Sequence, residues 1–241
     1  MFDYPQNLLL SVSNGQKGLC MSKYGRLSSV VRKIVRVLIP TYRIKSDFDV
    51  PSPAVFLCRH NNMLGPKTVI AWYPKYLRTW VFHVFMEKET CYRQYVDFTF
   101  TKRFGWPKWV AQSVARIVTP FVVNLMDSLG AIPVYRGSMK SFQTIKETLK
   151  ALLAGDTVLI FPDVDYTATH TEVRKIYEGF LYLERYYYNK TGKHLPFVPV
   201  RLDQELQEIV IEEAVCFADG IDFYDQKETI LDKIQTRISG C

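Results

Sequence analysis

The stretch Gly130-Ala131-Ile132-Pro133-Val134-Tyr135-Arg136-Gly137 reads as a short apolar strand, Ala131 to Tyr135, that leaves a long helix and ends on an arginine beside a glycine. Upstream, Trp109 to Leu129 carries Val110, Val114, Ile117, Val118, Phe121, Val122, Leu125 and Met126 at helical spacing, with Pro120 as a kink point. Downstream, Ser141 to Ala154 places Phe142, Ile145, Leu149 and Leu152 on one helical side, and Gly155 stops it. The apolar run Thr157 to Phe161 then gives a second strand. Farther out, Ala54 to Cys58, Trp80 to Met86 and Phe197 to Val200 read as strands, and Lys67 to Tyr73 and Glu172 to Asn189 as helices, the last ended near Gly192. Strands separated by helices require crossover connections. The expectation is an α/β fold with a mostly parallel central sheet flanked by helices. In such sheets the chemistry collects in the loops at the strand C-termini.

The 241 residues are 48% hydrophobic, enough for one continuous core plus an appendage. Residues 1–22 are polar and without period, and read as a loosely ordered leader, native or added before Met21. Residues 23–45 hold a basic amphipathic helix. In it Leu27, Val30, Val31, Ile34, Val35 and Leu38 form one apolar stripe, Arg32, Lys33 and Arg36 sit elsewhere, and Pro40 is the stop. Such a helix fits the plane of an anionic membrane surface, or it caps the core. Residues 46–241 make the α/β domain. The tail after Arg201 reads as edge structure with a last helix from Gln226 to Ile238, and Tyr186, Tyr187 and Tyr188 read as helix packing.

A net charge of +7 favours an anionic partner. No basic block interleaved with aromatics and no reading module stands out, so nucleic acid is not expected. Cys20, Cys58, Cys91, Cys216 and Cys241 are scattered and odd in number, which reads as a reduced cytoplasmic setting. With no secretory signal and no apolar run of spanning length, the expected location is cytoplasmic, soluble or peripheral at the inner face of a membrane.

Three strand-end loops hold the polar residues: Cys58 to Pro66 around His60, Gly130 to Gly137 around Arg136, and Phe161 to Thr167 around Asp163 and Asp165. Singly, each has an ordinary structural explanation. Together their order and spacing resemble the PlsC-like family of lysophosphatidate and glycerol-phosphate acyltransferases, the 1-acylglycerol-3-phosphate O-acyltransferase type. That family carries H-x-x-x-x-D followed by Pro, G-x-I-P-V-x-R-G, F-P-E-G-T and V-P-V. Here the second motif is matched in full from Gly130 to Gly137. Phe161 and Pro162 begin the third, and Val198, Pro199 and Val200 supply the fourth.

The resemblance implies an acyltransferase that moves a fatty acyl group from acyl-CoA or acyl carrier protein to a hydroxyl of a lysophospholipid or glycerol phosphate. His60 would be the general base, because an imidazole can take the hydroxyl's proton near neutral pH. Arg136, with Tyr135, Gly137 and Pro162, would bind substrate, the guanidinium gripping a phosphate. Neither a cofactor nor a metal is implied, and His83, His170 and His194 lack ligand spacing.

The chain departs from the pattern at two places. Gly65 occupies the first motif's aspartate position, and Asp163, Val164 and Asp165 replace the third motif's Glu, Gly and Thr. Either Asp163 or Asp165 orients His60 from the neighbouring strand end, or the protein is a lipid- or thioester-binding relative of low activity. Asp165 would repel an acceptor phosphate unless Arg136 or Lys67 offsets it, which leaves a neutral alcohol or an amine as alternative acceptor. Cys58, on a strand, reads as an inert core residue.

Overall fold

The computed structural model describes residues 23–135, 140–163 and 176–239. Seven strands, β1 Arg43–Lys45, β2 Val55–Cys58, β3 Leu77–Phe82, β4 Ile132–Val134, β5 Thr157–Ile160, β6 Phe197–Asp203 and β7 Glu208–Ile211, form one sheet in the order β1-β7-β6-β2-β5-β3-β4. The helices are α1 Arg26–Leu38, α2 Leu64–Trp72, α3 Lys88–Arg93, α4 Lys108–Ser128, α5 Ser141–Leu153, α6 Leu183–Thr191 and α7 Phe223–Ser239. This is the mostly parallel α/β architecture that the strand–helix alternation implies.

β2 and β5 are buried at every position, as strands covered on both faces must be. They pair in parallel, Val55 with Val158 and Leu57 with Ile160, while β6 pairs along the other side of β2. Side chains alternate across the pleat: Val55 and Leu57 join a core with Phe180, Leu183, Phe197 and Ile234, and Phe56 and Cys58 join one with Val69, Tyr73 and Val198. β3 lies parallel to β5, and β4 parallel to β3. Hence β2, β5, β3 and β4 all release their loops at one edge. The antiparallel β7 and the exposed β1 finish the far side.

Three segments differ from the sequence expectation. The run Trp80 to Met86 is strand only to Phe82; His83–Met86 is a 3₁₀ turn, where the His83 ring meets the Val134 carbonyl at 3.1 Å and stacks on Tyr135. Of the helix expected from Glu172, residues 172–175 lie outside the described part; Glu178–Tyr182 is 3₁₀, and α6 begins only at Leu183. Between α3 and α4, Gln94–Arg103 is π-helical, closed by a stack of Tyr95 on Phe100 and Phe100 on Trp106. The leader, residues 1–22, lies outside the described residues.

α1 forms where expected, but its apolar stripe is divided. Val31 and Val35 face inward onto a cavity, while Val30, Ile34 and Leu38 are exposed. Of Arg32, Lys33 and Arg36, two are engaged by protein. Arg32 donates to the carbonyls of Ile70 and Tyr73 at 2.7 and 2.8 Å, and Arg36 to that of Ala71 at 2.6 Å. They therefore cap the C-terminal end of α2, whose carbonyls lack helical partners. Arg32 and Arg36 thus serve the packing of α1 on α2, while Lys33 is exposed. Ser28 and Gly25 hydrogen-bond Ser128 and tie α1 to the end of α4.

Candidate functional site

His60 follows β2 after the single residue Arg59, and the chain then makes a tight left-handed turn: Asn61, Asn62 and Met63 have φ of 40°, 47° and 73°. Asparagine tolerates that region, whereas for Met63 it is strained, and strain of this kind concentrates at functional sites. The turn seats His60 before α2. Gly65 N–H donates to the His60 carbonyl at 3.2 Å, and Lys67 N–H to that of Met63 at 3.1 Å. Gly65 is required sterically, since a Cβ there would lie 2.0 Å from the Arg59 carbonyl oxygen.

Because β5 neighbours β2, the third loop arrives beside this turn. Asp163 is buried, and its Oδ2 accepts the His60 backbone N–H at 2.5 Å. Its Oδ1 faces the Arg59 guanidinium at 3.4 Å, and Arg59 also reaches Ser239 at the end of α7. The His60 ring packs edge-on to Phe161, with centroids 5.6 Å apart, and its Nδ1 accepts the Met63 N–H at 3.3 Å. Burial lowers the imidazole's pKa from its ordinary value, and the Asp163 charge opposes that shift. The lowered pKa favours the uncharged ring at neutral pH. A neutral ring that accepts at Nδ1 carries its proton on Nε2.

His60, Met63, Phe161 and Pro162 stand on the wall of a cavity of about 880 Å³. That is the upper part of the size range of small-molecule sites, roughly 300 to 1,000 Å³. Its sides are mainly apolar, built by Val31 and Val35 of α1, Trp80 of β3, Phe85, and Leu125 and Met126 of α4. Among the described residues, Lys67, Arg32 and Arg103 are the cations on its lining, and Arg103 donates to Asn62 at 3.3 Å.

Not every expected site residue joins this cavity. Tyr135 lines a separate hollow of about 250 Å³, divided from the first by Trp80, Val134 and Tyr177. β4 is three strands from β2, about 14 Å at ordinary strand spacing. Arg136, Gly137 and Asp165 lie outside the described residues. Arg59, Arg103 and the Met63 N–H were not singled out in the sequence. Arg59 adjoins His60 and could have been, whereas nothing in the chain's order brings Arg103 to this turn. Among the described residues no group of three or more His, Cys, Asp or Glu side chains could hold a metal ion. Cys58 is fully buried, and burial pushes its thiol pKa up, away from the reactive thiolate.

No family model matches the sequence, and none of the curated proteins is similar to it in sequence. Among solved structures the chain is similar to the 1-acyl-sn-glycerophosphate (LPA) acyltransferase PlsC from Thermotoga maritima, with a TM-score of 0.51 and 10% identity over 89% of this chain and 78% of that one. The likeness is one of fold.

Proposed function

We propose that the protein is an acyltransferase that moves a fatty acyl group from acyl-CoA or acyl carrier protein to a hydroxyl of a lysophospholipid or glycerol phosphate, peripherally at the inner face of a membrane. The observation that carries this is the position of His60 at a strand's C-terminal end, on the wall of a large apolar cavity, with its imidazole pKa lowered by burial. The cavity suits an acyl chain. The histidine suits removal of the acceptor's proton as the hydroxyl attacks the thioester carbonyl and the thiolate departs. To act as base at Nε2, the ring must carry its proton on Nδ1 and release the 3.3 Å contact from Met63. Losing one such long bond costs about 1 kcal/mol, small against a catalytic barrier. Lys67 and Arg103 supply positive charge for an acceptor phosphate from within the described wall, beside the role the resemblance gives Arg136.

A second reading, a thioester- or lipid-binding relative without turnover, draws on the same Met63 contact and on Gly65, which holds the family's aspartate position without space for a side chain. Labelled acyl-CoA and acyl carrier protein, offered with lysophospholipids, glycerol phosphate, neutral alcohols and amines, decide between them. Turnover that disappears in His60→Ala supports the enzyme. Tight binding without turnover across the panel supports the binder.

A further inference from the structure

We propose that residues 98–121 form a lipid-docking face: α4 lies in the plane of an anionic leaflet, with Trp109, Ile117 and Phe121 sunk among the acyl chains. This rests on the membrane-peripheral reading above and assigns a surface to it, additional to α1. From Phe98 to Met126 there is no acidic residue, while Lys102, Arg103, Lys108 and Arg116 are cationic. Every residue from Lys102 to Trp109 is exposed, so Phe104, Trp106 and Trp109 alternate with cations on the surface. Amphipathic rings beside lysine and arginine are what a headgroup region accommodates, the long aliphatic stems letting the charges rise to the phosphates.

α4 continues the same face. Trp109 is 72% exposed and Ile117 76%, and with Phe121 they fall one helical turn or two apart on one side. The helix is long and apolar enough to cross a membrane by length and composition, with a mean hydropathy of 1.2 and 17% of that stretch buried. Crossing is disfavoured because Ala111, Ala115 and Thr119 pack against the protein and Arg116 sits mid-helix. Lying in the interface satisfies both sides. The face is also continuous with the cavity: Phe98, Thr99 and Arg103 line it from the π-helical segment, and Val122, Leu125 and Met126 from α4. A nucleic acid would match the cations but not an aliphatic position such as Ile117, nor the join to an apolar cavity.

The test is co-sedimentation of the full chain with vesicles of phosphatidylcholine and phosphatidylglycerol in equal parts. The pair Trp109→Glu and Ile117→Glu, together, should weaken binding by roughly tenfold or more, because each places a charge where chains should be. Lys102→Glu with Lys108→Glu should weaken it on these vesicles and not on phosphatidylcholine alone. Leu206→Glu, on an exposed apolar residue of the β6–β7 turn, should leave it unchanged. Should the double glutamate variant fail to fold, brominated phosphatidylcholine added to the vesicles gives a second reading: it should quench wild-type tryptophan fluorescence more than that of Trp109→Phe. Undiminished vesicle binding by a folded Trp109→Glu, Ile117→Glu protein overturns the proposal. So does a lipid-independent dimer abolished by the same pair, or a single-stranded oligonucleotide that displaces vesicles from the wild type. Absence of acyl transfer with vesicle binding intact would end the acyltransferase reading and leave the docking face standing.

Discussion

Asp163 reaches His60 through the main chain: its Oδ2 accepts the His60 backbone N–H at 2.5 Å, while its other oxygen faces Arg59. The carboxylate thus fixes where the strand ends and how the turn begins. It bears on the imidazole by charge, holding the ring's pKa higher than burial alone would set it. That separates two effects a carboxylate normally exerts together on a catalytic histidine.

Asp163→Asn should reveal the charge effect. His60 is depressed below its ordinary value chiefly by burial, so the acid limb of kcat/KM should have its midpoint below about 6.5. Removing the carboxylate removes the opposing influence, and the midpoint should move lower still. The pH dependence of kcat/KM for both proteins is the measurement, and an upward shift in the variant contradicts this account. Stability should fall by about 1 to 3 kcal/mol, because Arg59 and a buried N–H lose a charged acceptor.

Gly65→Asp should not restore the family's usual pair. Its Cβ would meet the Arg59 carbonyl oxygen at 2.0 Å, so the first turn of α2 has to move and His60 with it. Gly65→Ala, which adds only the Cβ, separates sterics from charge. Both should lower the melting temperature, by a loss of about 1 to 3 kcal/mol, and abolish transfer. A folded, fully active Gly65→Ala would mean the turn is more pliant than its contacts indicate.

The cations of α1 should divide into two kinds. Arg32→Glu and Arg36→Glu remove the donors that cap α2 and should each destabilise the fold by about 1.5 to 3 kcal/mol. Lys33→Glu touches an exposed side chain and should leave the melt unchanged while weakening binding to anionic vesicles by about 1 kcal/mol or more. Thermal melts and vesicle affinities of the three variants, compared side by side, check this. Equal losses of stability in all three would contradict the division.

The sheet's centre was legible because β2, β5 and β6 are apolar runs of strand length, and burial on both faces leaves that mark. β1, three exposed residues at an edge, carries no such mark, and Val84, Phe85 and Met86 look like strand although the chain turns at His83. At the site, adjacency of the His60 and Asp163 loops followed from parallel pairing of their strands. Which atom of His60 the carboxylate would take did not. That depends on three successive positive φ values from Asn61 to Met63, and side-chain identity records only a weak preference for them at the two asparagines.

The last prediction concerns a cluster remote from the cavity. His194 lies between two carboxylates: Nδ1 to Glu184 at 2.6 Å and Nε2 to Asp219 at 3.0 Å, while Tyr188 stacks on its ring and donates to Asp219. Glu184 is buried at the start of α6 and also accepts the Leu195 N–H, so the ring links α6, the approach to β6 and the loop before α7. Burial pulls the imidazole's pKa down, but the hydrogen bonds and charges of Glu184 and Asp219 outweigh it, and the net shift is upward. A raised folded-state pKa means the charged form stabilises the fold. That contribution is full below the unfolded value of about 6.5 and is lost as pH rises through the higher folded value. The wild-type melting temperature should therefore fall across this window relative to His194→Gln, and the gap between them should be widest at the acidic end. The loss should be modest, since Asp219 is open to solvent and screened. Thermal melts of the two proteins in matched buffers from acidic to mildly alkaline pH make the comparison, and a gap that widens as pH rises would show that the cluster holds a neutral ring.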